Sequence, residues 1–130
     1  MKRAWTSCLL LIACDPPVPP KLSAIEQRIF QPNCTFSSCH SELGQAGTMV
    51  LEPGKSFANL VGQQSAQTAA HAEGLLRVAP GDVAHSFIVI KLTDPMDPKY
   101  GDRMPQHQAP LDGADLGTIE EWIRLGAHDD

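Results

Sequence analysis

In this 130-residue chain the residues whose types and spacing could do chemistry are two cysteines and a histidine, in Cys34-Thr35-Phe36-Ser37-Ser38-Cys39-His40. Two thiols can add across the vinyl groups of a haem while an imidazole directly after the second is carried under the iron, so a cysteine pair ending in Cys-His reads as a covalent haem site. The usual spacing of that motif is C-x-x-C-H. Here four residues separate the cysteines, and Cys39 and His40 stay adjacent. The same pair without haem could form a disulfide closing a small loop, which is feasible if the two Cα atoms come within about 7 Å. The motif alone leaves both readings open.

An iron held by histidine needs a second axial ligand if it is to carry electrons without binding small molecules, and a methionine thioether is the choice that raises the potential. Met49, Met96 and Met104 are the candidates. Met104 is preferred because Met104-Pro105 lies in a proline-rich stretch, where proline fixes the backbone and removes a competing donor. Met96, also beside a proline, is second, and Met49, in an alternating apolar stretch, reads as core. His107 is an alternative axial ligand. His71, His85 and His128 are scattered without ligand spacing, and no second cysteine pair supports a zinc site. Arg77 could pair with a haem propionate through its forked guanidinium or could simply stabilise a turn. No Ser/His/Asp order, paired carboxylates or phosphate-binding glycine motif can be assembled, so no enzyme is expected.

Next come the parts of the chain that must deliver and position these groups. Lys2 and Arg3 precede a short apolar run, Leu9 to Ala13, which reads as a secretion signal over residues 1–13. Leu11-Ile12-Ala13-Cys14 resembles the bacterial lipobox, which makes Cys14 the lipid-bearing first residue of the mature chain. Cys8 then leaves with the signal, and Cys34 and Cys39 are the cysteines of the folded domain, in an oxidising compartment. Prolines at 16, 17, 19 and 20 predict an extended tether over residues 14–21, followed by one domain over 22–130. The formal net charge is −5, and loss of Lys2 and Arg3 makes it two units more negative. With no basic run to neutralise phosphates, nucleic acid is excluded as a partner. Beyond the signal no apolar stretch approaches the ~20 residues that span a bilayer, so attachment is expected through lipid. Whether that membrane is the inner or the outer one is left open.

Within the domain, Ser23 and Glu26 have capping-box spacing and Ile25, Ile29 and Phe30 share a helical face, which predicts a helix over 24–31 that stops at Pro32. Residues 41–54 read as loop, with Met49 and Leu51 pointing inward. Ser56 is placed to cap a short helix that Gly62 ends, and 63–74 reads as a surface excursion. Pro80-Gly81 suits a type II turn, with Asp82 as cap of a segment to Leu92; the spacing of Ile88 and Leu92 favours helix over strand there. Prolines 95, 98, 105 and 110 make residues 93–110 a long loop. Leu116, Ile119, Trp122 and Ile123, opened by Asp112 or Asp115 and ended by Gly126, predict an amphipathic C-terminal helix. Phe30 and Trp122 are expected in the core where the two terminal helices cross.

Taken in order, these features resemble a class I c-type cytochrome: a first helix leading into the haem motif, a late Met-Pro loop and a closing helix. The chain is also similar to small secreted cytochrome c-like domains in Leu76-Arg77-Val78, Pro80-Gly81-Asp82, Ser86, Lys91-Leu92, Met104-Pro105, Ile119, Trp122-Ile123 and Gly126-Ala127. The likeness runs from about Ile25 to Ala127. It implies an all-α cytochrome c-like fold around one haem c, thioethers at Cys34 and Cys39, His40 as proximal and Met104 as distal iron ligand. It further implies electron exchange with redox partner proteins from a lipid-anchored position in the periplasm or at the cell surface. The other open reading is a haem-free exported lipoprotein binding module with a Cys34-Cys39 disulfide.

Overall fold

The computed structural model describes residues 15–130; the expected signal peptide, Cys8 and the lipid site Cys14 lie outside the described residues. Its regular structure is helical. Helix α1 (Leu22–Ile25), a π-helical stretch (Glu26–Phe30) and α2 (Gln31–Cys34) follow end to end as one N-terminal helix. After a 3-10 turn (Ala46–Thr48) come α3 (Ser56–Leu60), α4 (Thr68–Ala72), α5 (Phe87–Leu92), a second 3-10 turn (Pro98–Tyr100) and α6 (Gly113–Arg124). Pairing among the described residues is limited to isolated bridges such as Val61 to Val78 and Leu76 to Ser86. The expectation of a helical class therefore holds. No helix of the described residues is long and apolar enough to cross a membrane.

The N-terminal helix departs from the sequence expectation in two ways. It does not stop at Pro32 but continues to Cys34. Proline inside a helix removes one N–H and crowds the carbonyl four residues back. Here the preceding turn is wound wider, with the Gln31 N–H on the Glu26 carbonyl five residues back, and such π turns relieve a local break in the ladder. The Asn33 side-chain amide also donates to the Ile29 carbonyl at 2.8 Å. Nor does the Ser23/Glu26 capping box form. The first N–H groups, of Leu22 and Ser23, go instead to Asp130, at 3.0 Å to its Oδ1 and 2.9 Å to its main-chain oxygen.

Glu26 does something the local sequence does not announce. It is 5% exposed, and its carboxylate accepts from the N–H groups of Gly54 at 2.8 Å and Ser56 at 3.1 Å. It thus caps α3 from the facing helix, while the Ser56 hydroxyl, expected to be the cap, is buried with no partner among the described residues. Glu26→Ala leaves two main-chain donors without their charged acceptor and is expected to destabilise the protein by about 2–4 kcal/mol. Urea unfolding measures this, and an unchanged midpoint would show that the bridge contributes nothing.

The predicted surface excursion over 63–74 contains α4, capped by the Gln67 side chain on the Ala70 N–H at 2.8 Å and held down by fully buried Ala70. Asp82 is not the cap of α5, which starts at Phe87 after Ser86. The Asp82 carboxylate accepts instead from the His85 N–H and ring, while buried Ser86 closes the turn, accepting from the Ala79 N–H at 2.9 Å and donating to the Asp82 carbonyl at 2.7 Å. The Pro80-Gly81 turn forms as expected, with Gly81 at φ 78° and the Asp82 N–H on the Ala79 carbonyl. In α6 the Asp112 carboxylate accepts from the Asp115 N–H at 2.8 Å, so Asp112, not Asp115, is the cap.

The core follows the apolar periodicity of the terminal helices. Leu22, Ile25, Ile29 and Phe30 pack with Ile119, Trp122 and Ile123 in one buried cluster, and the indole N–H of Trp122 donates to the His128 carbonyl at 2.9 Å. The proline-rich stretch before the domain is laid against these helices over its described residues. Val18 packs on the core, its carbonyl accepts from the Thr118 hydroxyl at 3.3 Å, and the Pro16 carbonyl accepts from Arg28 at 2.7 Å.

Candidate functional site

A cavity of about 340 Å³ opens between the end of the N-terminal helix, the 46–51 segment, α5 and the proline-rich loop. Cys34, His40 and Met104 all line it, with Phe30, Leu51, Leu60, Phe87, Ile88, Leu92 and Leu111 as apolar wall. Its charged lining consists of Arg77 and Lys91, with no carboxylate.

Cys34 ends the N-terminal helix, so the continuation of that helix past Pro32 is what brings its thiol to the cavity. Burial, and then the neighbouring Cys39, push the Cys34 thiol up to about 12. The intervening residues turn tightly, with the Cys39 N–H on the Phe36 carbonyl at 2.8 Å and the His40 N–H on the Cys34 carbonyl at 3.0 Å. Cys39 is half-buried and does not line the cavity. Both sulfurs are free thiols.

His40 is held by the turn that follows it. Its Nδ1 lies 2.8 Å from the Ala46 carbonyl; with Nδ1–H as donor, Nε2 carries the lone pair a metal requires. Burial lowers the pKa of the imidazole, the Ala46 and Met49 carbonyls oppose that shift, and the cations of Arg77 and Lys91 add to it. The ring is therefore neutral at pH 7, the form that ligates metals. The turn stays in place because the Ala46 N–H donates to the Cys39 carbonyl at 2.9 Å and because Gly44 lies flat on the Ser38–Cys39 peptide, where a Cβ would come within 2.5 Å of the Cys39 oxygen.

Arg77 lines the cavity, but its guanidinium is already engaged. It donates to the carbonyls of Asn59 and Gly47, both at 2.9 Å, and to the Thr48 hydroxyl at 3.0 Å. It ties the 46–48 turn to the end of α3, which favours the turn-stabilising reading over a free propionate partner. Met104 is fixed through its N–H on the Lys91 carbonyl at 2.8 Å.

Of the other axial candidates, Met96 and His107 lie outside this cavity and Met49 lies within it. Met96 packs against a second cluster with Phe87 and Tyr100 and lines a different, smaller cleft. His107 is exposed, at φ 59°, and is not in the lining. Met49, expected to be core, is half-buried and does line the cavity. The sequence reading also missed the Ala46 carbonyl and Lys91. Main-chain acceptors leave no residue-type signal, but a lone lysine in the apolar helix Phe87–Leu92 is one that could have been followed. Comparison of the chain with protein-family models, characterised proteins and solved structures gives no match, so the meaning of this site rests on its own chemistry.

Proposed function

We propose that the cavity holds one haem c and that the protein is an exported, lipid-anchored mono-haem cytochrome of cytochrome c-like fold, exchanging single electrons with redox partner proteins. The observation that carries the reading is the convergence of Cys34, His40 and Met104 on one apolar cavity with no carboxylate in its lining. The donor set suits the group: a thiol for covalent attachment, an imidazole with its Nδ1 already committed, and a thioether. Haem supplies an iron that alternates between two oxidation states. In this reading Cys34 binds it from the cavity wall, Cys39, outside the lining, is the second attachment the motif implies, His40 and Met104 hold the iron, and the apolar wall excludes water. Cys14 carries the anchor.

Protein produced with haem-maturation machinery is expected to show a Soret band and, when reduced, a sharp α-band, with haem retained through denaturation. Met104→Ala is expected to keep the covalent haem and to bind carbon monoxide when reduced, which the parent protein resists. No haem absorbance after such expression would refute the proposal and leave the haem-free binding module, whose Cys34-Cys39 disulfide thiol titration would reveal.

A further inference from the structure

Lys91 sits in the last turn of α5, with its side chain on the cavity wall. Among the described residues its ammonium makes no ion pair. It donates to the carbonyls of Tyr100, at 3.0 Å, and of Asp102. Its own carbonyl is one of those that a helix end leaves without an intrahelical donor, and the residue four positions on is Pro95, which has no N–H to offer. The Met104 N–H takes that place at 2.8 Å. One residue thus grips the proline-rich loop at 100, 102 and 104, by its side chain at two points and its main chain at the third.

We infer that Lys91 is the positioning residue for the Met104 thioether, holding the loop so that the sulfur faces the cavity. How the loop is held follows from the hydrogen bonds alone; that the sulfur serves an iron rests on the haem reading above. The Lys91 ammonium lies over the Phe87 ring, 6.0 Å from its centroid, while its hydrogen bonds go to the loop carbonyls. Burial lowers the pKa of this ammonium, and two strong main-chain acceptors are what a partly desolvated cation needs.

The test compares Lys91→Leu, which keeps an apolar stem and introduces no iron ligand, with Lys91→Arg, which restores a cation able to reach both carbonyls. Amide hydrogen exchange at Met104, measured on the full purified chain, is expected to accelerate about tenfold or more in Lys91→Leu and to return close to the parent rate in Lys91→Arg. In haem-loaded protein, imidazole binding to the iron should tighten by a similar factor in Lys91→Leu alone. Unchanged exchange and unchanged imidazole affinity in folded Lys91→Leu overturn the inference, as does an arginine variant that behaves like leucine. Should Lys91→Leu fail to fold, Lys91→Gln is compared with Lys91→Arg by the same exchange measurement, and equal protection in the two overturns it. If no protein absorbs as haem, the iron reading fails while the exchange rates still decide the clamp.

Discussion

Alanine at residue 44 is expected to destabilise the protein by about 2–3 kcal/mol and to prevent haem loading, although Gly44 is exposed and carries no functional group. Its added methyl would stand 2.5 Å from the Cys39 oxygen, 2.7 Å from the Ser38 carbonyl carbon and 2.8 Å from the Cys39 nitrogen. These are backbone atoms and cannot rotate aside, so the 41–46 turn must lift away. Lifting it breaks the Ala46 N–H bond to Cys39 and withdraws the Ala46 carbonyl from His40, which disorders the imidazole and the attachment loop together. Gly47→Ala is the control: at φ 62° with nothing within 4 Å of the new Cβ, it carries left-handed strain of about 1–2 kcal/mol and no clash. Denaturant unfolding and haem yield measure both variants. Normal haem loading in Gly44→Ala would show that the turn is not what holds His40.

The second large effect is on pH. Haem-free protein is expected to lose stability steeply as pH rises from 9 towards 12. The Cys34 thiol ionises near 9.0 when exposed but only at about 12 when folded, so in that window the unfolded chain binds fewer protons than the native one and alkali favours unfolding. Three pKa units correspond to about 4 kcal/mol at ~1.4 kcal/mol per unit, an upper bound that is fully lost only at the top of the window. Cys34→Ala should flatten the alkaline limb. Haem attachment consumes the thiol, so loaded protein should lack this limb as well, and the same titration therefore reports whether Cys34 is joined. A loaded protein that keeps the full alkaline loss would mean the thiol is still free. The acid side has the opposite sign: the His40 pKa lies below its usual 6.5 when folded, so stability falls as pH drops below about 6.5, where the unfolded imidazole takes up protons that the folded one refuses.

What the sequence revealed divides along the range of the interactions concerned. Periodicity placed the C-terminal helix and the Phe30/Trp122 core, and narrowed the cap to Asp112 or Asp115, because helix amphipathicity and caps are local properties. The grouping of Cys34, His40 and Met104 was legible from residue chemistry. Glu26 was misread because its partners, Gly54 and Ser56, lie 28 and 30 residues further along the chain; a short-range capping box was the closest match the local spacing offered. Pro32 was read as a stop because propensity ignores a π turn that shifts the donor register upstream. The lone lysine of an apolar helix was a signal for Lys91, but its partners were not legible, since they are main-chain carbonyls brought close only by the fold.

The strap of chain before the first helix has a consequence for reach. With the Pro16 carbonyl held by Arg28 and Val18 seated on the core, a lipid on Cys14 would have only two residues of slack, about 7 Å at full extension. A free stretch of seven residues would span roughly 25 Å. The domain would then ride close against the bilayer in one attitude instead of swinging on a leash, and encounters with a partner would be governed by lateral diffusion in the plane of the membrane. Lengthening the chain between Cys14 and Pro16 would restore the third dimension to that search.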